Sequence, residues 1–492
     1  MIDVFWGIGG MIALLAIAVL FSVDRRKIRI RTVALALALQ VTFGVLVLYV
    51  PAGRVVLEAM TVGVQAVINS SAAGIDFLFG PVLPEEGGVF AFQVLPVIVF
   101  FAALTSVLYY LGVLQWVVKI IGGGLAKLLG TSTPESMNAA ANIFVGQTEA
   151  PLVIRPYVAK MSRSELFAVM CGGLATVAGS VLVGYSLLGA PLEYLIAASF
   201  MAAPAALLMA KLLVPTGAME EAPAGAPAHD PGVADGPSGT AEGAGDPAGE
   251  ERRGARRWLA GGARRGATSH AALEIARRQD AGTTDRGDGD AVRPDDVARS
   301  ADPEGVSATD AAGDPVEEEE APANVIDAAA RGASDGLSLA LNVGAMLIAF
   351  ISLIALVNVI LGSIGGLFGL GELTLEQLFG YVFAPVMFVV GVPWAEALDA
   401  GSFLGQKLVL NEFVAFADFA PQIDDYSAKT QAIVTFALTG FANFGSLAIL
   451  LGGLGGIAPS RRSVIAQLGL RAVLGGTLAN LMSAAIAGML IG

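Results

Sequence analysis

Long runs of apolar residues restrict the folds open to this 492-residue chain more than any other feature. The runs are roughly 18 to 25 residues long, the length at which an α-helix crosses about 30 Å of hydrocarbon. Only 15% of the residues are charged, whereas soluble domains carry about 25%. A large soluble core would not need so many uninterrupted runs of this length. The pattern therefore predicts an all-α polytopic membrane protein.

The apolar runs predict eight transmembrane helices with both chain termini outside. The predicted spans are 4–23, 31–50, 90–117, 166–188, 192–212, 337–361, 431–455 and 470–491. Gly122–Gly124 should close the third span, and breaks are expected near Gly172-Gly173 and Gly179-Ser180 in the fourth. Segments 54–79 and 373–392 should be helices at the membrane interface, the first because polar residues interrupt it.

The basic loops set the predicted orientation. Arg25–Arg31, Arg155–Arg163 and Arg461-Arg462 should be cytoplasmic, because Lys and Arg accumulate on that side. If 373–392 crossed the membrane, Arg461-Arg462 would fall outside, so we interpret that segment as interfacial. The sequence predicts a multi-pass protein of the cytoplasmic membrane.

The net charge of −14 comes from one segment. Residues 216–335 hold 25 of the 43 acidic and 12 of the 29 basic residues. Their Ala, Gly, Pro and acidic content predicts a disordered, cytoplasmic insertion, assigned to 213–335. Both histidines, His229 and His270, lie in it, so no histidine is left to relay protons in the membrane.

Two segments are too short and too polar at their centres to span. Residues 134–165 contain Gly146–Pro151, and residues 396–420 contain Gly405–Lys407 followed by Asn411-Glu412. Each fits a re-entrant hairpin that enters and leaves on one side. Each is followed by a helix interrupted near a Gly-Ser pair, and the orientation places the hairpins on opposite sides. This pattern indicates an inverted repeat, with a site at the midplane built from broken helices.

Ionisable residues lie beside both predicted breaks. Glu149 and Glu412 are costly in lipid and therefore usually face a polar cavity. Lys407 could neutralise a neighbouring carboxylate, or its side chain could extend to the interface.

These motifs together resemble the concentrative nucleoside transporter family. The resemblance covers about 1–212 and 324–492, and four motifs carry it. They are Gly146-Gln147-Thr148-Glu149-Ala150-Pro151, Gly405-Gln406-Lys407, Asn411-Glu412-Phe413-Val414-Ala415 and Gly440-Phe441-Ala442-Asn443.

The resemblance implies a homotrimer in which a transport domain moves against a scaffold. Combined with the segment pattern, it divides the chain into five parts. These are scaffold helices with an interfacial helix (1–117), a first transport repeat (118–212), the insertion (213–335), a scaffold helix and turn (336–372), and a second transport repeat (373–492).

The resemblance also implies where substrate and ion bind. Gln147, Thr148 and Glu149 would face the nucleobase. Glu412, Asn443 and Ser446 would hold the ribose, with Phe441 packed against the nucleoside. Sodium would be bound by side-chain oxygens of Asn142 and Thr176 and by carbonyls of Val145, Thr176 and Val177.

The chemistry of these residues agrees with that assignment. A nucleoside is neutral and needs no Arg clamp, whereas carboxylate and amide groups accept from ribose hydroxyls. We expect one sodium ion per nucleoside, because only the first repeat shows an evident cluster of oxygens. No other cofactor and no nucleic-acid partner are expected.

Three alternatives stay open at this point. Coupling to protons through Glu149 or Glu412 would change the ion but keep the substrate. A membrane-embedded enzyme is disfavoured, because no histidine lies in the predicted spans to serve a nucleophile. A nucleoside-responsive channel or sensor would not accumulate substrate against its gradient.

Overall fold

The computed structural model describes residues 2–83, 89–219, 322–367 and 373–491. Within these ranges the regular elements are all helical, so the predicted all-α fold is confirmed. The first eleven α-helices are α1 (Ile2–Leu20), α2 (Ile30–Gly44), α3 (Pro51–Ser70), α4 (Ala72–Phe79), α5 (Phe90–Tyr110), α6 (Val113–Leu129), α7 (Thr133–Ala141), α8 (Arg155–Val158), α9 (Arg163–Ala175), α10 (Gly179–Leu188) and α11 (Leu192–Leu213). The others are α12 (Val325–Leu367), α13 (Leu375–Val390), α14 (Trp394–Val409), α15 (Glu412–Phe419), α16 (Ala428–Leu438), α17 (Phe444–Ile457) and α18 (Arg462–Ile491).

Eight segments of the described residues are long and apolar enough to cross a membrane. The number agrees with the predicted eight spans, but the segments are not all the same. Residues 51–82 meet the criterion, although 54–79 was expected at the interface. The predicted span 431–455 does not meet it, because a break divides this segment into the short helices α16 and α17.

The predicted interfacial segment 373–392 corresponds to the 16-residue helix α13. It is too short to cross about 30 Å of hydrocarbon at 1.5 Å per residue. A bend of 116° then leads directly into α14. This geometry supports the interfacial placement, which stays a prediction.

Several boundaries differ from the predicted ones. The span predicted at 90–117 ends at Tyr110, and Gly112, with φ of 78°, turns the chain into α6. Gly122–Gly124 were expected to close that span, but they lie within α6, where Gly122 faces Met137 of α7. A methyl group at Gly122 would lie 2.8 Å from the Met137 Cα, so the absence of a side chain permits this close helix packing.

Both ends of the predicted insertion belong to the folded part of the protein. Residues 213–335 were expected to be disordered, yet Val214 and Ala218 are buried and α12 begins at Val325. The helix expected at 337–361 therefore extends over 43 residues. Most of the insertion, 220–321, lies outside the described residues.

The basic loops meet on one side of the molecule. Lys27 Nζ donates to the Gly217 carbonyl at 2.6 Å, and Ser164 Oγ donates to the Val214 carbonyl at 2.7 Å. Arg461 Nη2 donates to the Met161 carbonyl at 2.8 Å. The predicted orientation requires such a common side, because it places these loops in one compartment.

The last helix, α18, lies at the centre of the fold. It packs against α1, α9, α11 and α16 and is buried along most of its length. Helices α9 and α16 both stop where they meet α18, and each continues after a few residues of extended chain as α10 or α17. The candidate site is formed at these two interruptions.

Candidate functional site

The first helical hairpin presents its tip to a glycine-rich face of α9. Helix α7 ends at Ala141, and residues 142–149 form the tip before a 3₁₀ turn at Ala150–Ile154. A methyl group at Gly173 would lie 2.8 Å from the Gln147 Cβ, and one at Gly172 would lie 3.1 Å from Asn142 Nδ2. Gly172 and Gly173 were expected to mark a break. They instead lie inside α9, where they let the tip approach.

The break in this helix comes at Thr176–Ala178, directly before Gly179-Ser180. The Gly179 amide donates to the Phe144 carbonyl at 3.1 Å, which ties the break to the hairpin tip. The Thr176 hydroxyl donates to the Gly172 carbonyl at 2.8 Å, so its lone pairs stay available to another group. Asn142, Val145, Thr176 and Val177 thus belong to one junction, as the sodium prediction requires.

Buried oxygens without hydrogen-bond partners gather at this junction. They are Asn138 Oδ1, Asn142 Oδ1 and Gln147 Oε1. Asn142 is fully buried and its amide nitrogen donates to the Asn138 carbonyl at 3.0 Å, so the oxygen is the free end. In the described part of the chain, the carbonyls of Val145 and Val177 also accept no hydrogen bond. Unpaired buried acceptors are costly, and a cation or a donor-bearing ligand would satisfy them.

Thr148 and Glu149, the other two residues expected at the base, have different neighbours. A methyl group at Gly453 of α17 would lie 3.0 Å from the Thr148 Cγ2. Glu149 is exposed, and its carboxylate lies over Gly146.

The second hairpin has its tip at Leu410-Asn411, between α14 and α15. Gly405–Lys407 were expected at the break, but they lie inside α14 and are buried. Gln406 Nε2 donates to Asp418 Oδ2 at 2.6 Å, which holds the two arms of the hairpin together. Both hairpins contain a Phe-x-Gly-Gln sequence, Phe144–Gln147 and Phe403–Gln406, but the first lies at a tip and the second within an arm.

Glu412 begins α15 and is almost fully buried. Tyr185 Oη donates to its Oε1 at 3.0 Å, and Asn443 Nδ2 donates to its Oε2 at 2.8 Å. Tyr185 is itself fixed by stacking on Phe416 at a ring separation of 4.4 Å. Each carboxylate oxygen keeps capacity for a further donor, so Glu412 is held in position and can still accept from a ligand.

The second break covers Thr439–Asn443 and comes directly before α17. Asn443 caps α17, because its Oδ1 accepts from the Ser446 amide at 2.6 Å. The Phe441 amide donates to the Thr176 carbonyl at 3.1 Å. The two breaks are thus hydrogen-bonded to each other at the centre of the protein.

Helix α17 connects the two halves of the predicted nucleoside site. Its first turn carries Ser446 beside Asn443, and Gly453 lies next to Thr148 of the first hairpin. Seven residues of helix correspond to about 10 Å. Thr148, expected at the base, and Ser446, expected at the sugar, therefore lie at points about two turns apart along α17.

Two residues of this region carry bonds that the sequence analysis did not foresee. Tyr185 holds Glu412, and Asn480 of α18 donates to carbonyls at both breaks. Asn480 could have been singled out, because a lone amide in an apolar helix usually has a partner in the protein. Tyr185 carries no comparable signal.

Comparison with protein families matches three models along the chain. Residues 9–82 match "Na+ dependent nucleoside transporter N-terminus", residues 91–192 match "Nucleoside recognition", and residues 292–488 match "Na+ dependent nucleoside transporter C-terminus". Among relatives, the nucleoside permease NupC of Helicobacter pylori is 41% identical over 98% of this chain and 97% of its own. The chain belongs to the concentrative nucleoside transporter family.

Other members of the family support the assignment. An uncharacterized transporter of Bacillus subtilis, YutK, is 49% identical over 99% of this chain and all of its own. The solved structure of CNTnw in an inward-facing, substrate-bound state is 46% identical, covers 99% of this chain and 98% of its own, and has a TM-score of 0.77. A CNTnw variant in an outward-facing state is similar at 44% identity and the same TM-score. This chain is accordingly a nucleoside transporter with several membrane-crossing helices.

Proposed function

We propose that the protein is a sodium-coupled nucleoside symporter of the cytoplasmic membrane that works by alternating access. The observation that carries the sodium part is the group of unpartnered buried oxygens at the first break, with Asn142 Oδ1 at its centre. A hard cation prefers oxygen ligands of this kind, and transporters place such ions at unwound segments of broken helices. The family models that match the chain carry the same ion in their description.

The proposed sodium site uses residues of the first hairpin and the first break. Asn142 supplies Oδ1, Thr176 supplies its hydroxyl, and Val145 and Val177 supply carbonyls. The Thr176 carbonyl already accepts from the Phe441 amide, so as a sodium ligand it would share its second lone pair. Binding of the ion would remove the cost of leaving these oxygens unpaired.

The proposed nucleoside site lies between the first hairpin tip and α17. Gln147, Thr148 and Glu149 face the base, and the amide and hydroxyl groups among them match its mixed donors and acceptors. At its other end, Glu412, Asn443 and Ser446 hold the ribose, and Phe441 packs against the nucleoside. Glu412 supports this role because its two oxygens are already fixed by Tyr185 and Asn443.

The common side of the basic loops supports the proposed orientation in the cytoplasmic membrane, and import is the direction that a sodium gradient would drive. The basic loops meet on one side, which the positive-inside rule assigns to the cytoplasm. The insertion leaves the described chain at Met219, beside Lys27, and therefore begins on the same side. We further propose a homotrimer and two opposed re-entrant hairpins, which the family resemblance implies.

Nucleoside binding to the purified protein, titrated with sodium at constant ionic strength, tests the proposal. We expect a saturable dependence with a Hill coefficient near one, since of the two breaks, among the described residues, the first is the one with unpartnered buried oxygens. Full binding in sodium-free choline buffer would contradict the sodium site. If binding there depended on pH, the proton-coupled alternative would replace it.

A variant locates the ion. Thr176→Ala removes one hydroxyl ligand and should raise the sodium midpoint by about three- to tenfold, with nucleoside preference unchanged. Ser199→Ala is a matched control, because the Ser199 hydroxyl also donates to the carbonyl four residues earlier in a buried helix, at 3.1 Å. An unchanged midpoint in Thr176→Ala would remove Thr176 from the site.

A further inference from the structure

The last carbonyls of an interrupted helix lose their partners within the helix and need others. At the first break this group is the Ala175 carbonyl, and at the second it is the Thr439 carbonyl. Asn480 of α18 serves both, because its Nδ2 donates to Ala175 at 2.7 Å and to Thr439 at 2.8 Å. A single buried amide group therefore joins one break to the other.

Lys407 fixes the direction of that amide. Its Nζ donates to Asn480 Oδ1 at 2.8 Å and to the Ala437 carbonyl at 2.6 Å, and the side chain is fully buried. Because Nζ donates both bonds, it faces the amide oxygen and thereby turns the nitrogen of Asn480 towards the two carbonyls. Since Lys407 lies on α14, the second hairpin is part of the same network.

The packing leaves this network little freedom. A methyl group at Gly440 would lie 2.7 Å from the Asn480 Cγ. One turn earlier on α18, a methyl group at Gly476 would lie 2.9 Å from the Leu174 Cβ and 3.1 Å from the Ala442 Cβ. A displacement of either break is therefore transmitted to Asn480.

We propose that Lys407 and Asn480 are positioning residues that couple the ion site at the first break to the sugar site at the second. The inference rests on the proposed function. The bonded groups lie close in sequence to the proposed ligands of both sites. Ala175 directly precedes Thr176 of the ion site. Thr439 and Lys407 lie four residues before Asn443 and five before Glu412, both of the sugar site. An ion that orders the first break orders the second through Asn480, and so raises the affinity for nucleoside. The coupling is reciprocal, since each ligand must change the affinity of the other by the same factor.

The experiment measures this factor as the nucleoside Kd in choline divided by the Kd in saturating sodium, with uridine as the probe. We expect a factor of about ten or more in the wild type. Asn480→Asp keeps the acceptor for Lys407 but turns an oxygen towards the two carbonyls, and it should reduce the factor to below about three. Lys407→Met keeps every atom of Asn480 but frees its amide to turn, and it should give an intermediate value.

Ser483→Ala is the matched control, because Ser483 is buried on the same helix but accepts from Gln40 Nε2 at 2.9 Å, away from the breaks. Its ratio of nucleoside Kd in choline to Kd in sodium should equal that of the wild type. Variants are compared with the wild type only if they unfold at a similar temperature in detergent. A wild-type factor in Lys407→Met, or in a folded Asn480→Asp, overturns the coupling role; if Asn480→Asp does not fold, Lys407→Met decides. Absence of any sodium effect in the wild type is a different result, because it overturns the proposed ion before a variant is made.

Discussion

The two interrupted helices differ in what their polar groups are bonded to. At the first break, Asn138, Asn142 and Gln147 each keep a buried side-chain oxygen without a partner. At the second, the carboxylate of Glu412 and the amide oxygens of Asn443 and Asn480 all accept hydrogen bonds.

The two breaks also differ in whether donors or acceptors are in excess. The second already holds a buried ammonium group, that of Lys407, which donates to the Ala437 carbonyl. The unpartnered atom near its tip is a donor, Asn411 Nδ2. Unpartnered oxygens attract a cation, whereas the second break leaves a donor unpaired and already holds the Lys407 ammonium group within electrostatic range of the Glu412 carboxylate, so the first break suits an added ion better. The same arrangement of hairpin and broken helix can thus serve an ion in one repeat and a sugar in the other.

The largest effect on nucleoside affinity is expected when the Glu412 carboxylate at the second break is replaced by a neutral group. Glu412→Gln would remove the proposed charge-assisted bonds to the ribose hydroxyls and place an amide nitrogen against Tyr185 or Asn443. Loss of about 3 kcal/mol corresponds to nucleoside binding about 100-fold weaker. Calorimetric titration of the purified variant with uridine and adenosine measures it.

Glu396→Gln makes the same chemical change at the start of α14, where the carboxylate accepts from Ser427 Oγ at 2.9 Å. Its affinity should stay within about twofold of the wild type, because this site is partly exposed. Tight nucleoside binding by Glu412→Gln would show that the second break does not hold the sugar.

A smaller effect on ligand binding is expected from a substitution at the first break. The free energy of unfolding should distinguish this substitution from its counterpart at the second break. Asn142→Leu removes an unpartnered oxygen, while the Asn138 carbonyl keeps its bond from the Asn142 backbone amide at 3.0 Å. In sodium-free buffer the variant should be as stable as the wild type or more so, whereas its sodium midpoint should rise by about tenfold or more.

Asn443→Leu is the counterpart at the second break. It would leave Glu412 Oε2 and the Ser446 amide without their partners and should cost about 3 kcal/mol of stability in any buffer. Thermal unfolding in detergent, with and without sodium, compares the two variants. Equal destabilisation by both in sodium-free buffer would contradict the difference between the breaks.

The sequence was sufficient to locate the hairpins but not their internal geometry. Apolar run length and the Gly-to-Pro motif predicted an interruption at Gly146–Pro151, where the structure has no α-helix between Ala141 and Arg155, because short apolar stretches cannot span and proline and glycine interrupt helices. Gly405–Lys407 were predicted at the second tip, which is wrong, because the amino-acid sequence does not show that α14 continues to Val409.

Lys407 shows why some roles need the structure. An ion pair or an extension to the interface were the two expectations, and both follow from its charge. The side chain does not extend to the interface, because it is fully buried and donates to a carbonyl and an amide that lie 30 and 73 residues away in the chain. Such partners depend on how α16 and α18 pack, which local pattern does not determine. The roles assigned to Gln147, Thr148 and Glu149 stay predictions.

The smallest effect is expected from removing the segment that separates the two repeats in the chain. Deleting 222–318 and inserting a Gly/Ser linker of about twelve residues, which reaches about 20 Å on average, should leave sodium-dependent uptake within about twofold of the wild type. The deleted segment lacks the apolar residues for a packed core. The bonds that join the breaks, from Asn480 to Ala175 and Thr439 and from Phe441 to Thr176, involve none of it. Uptake into proteoliposomes, normalised to the amount of reconstituted protein, is the measurement. A well-folded deletion variant that binds uridine normally but transports it at less than a tenth of the wild-type rate would show that the insertion acts on the transport cycle, and that the two repeats are not coupled through the membrane core alone.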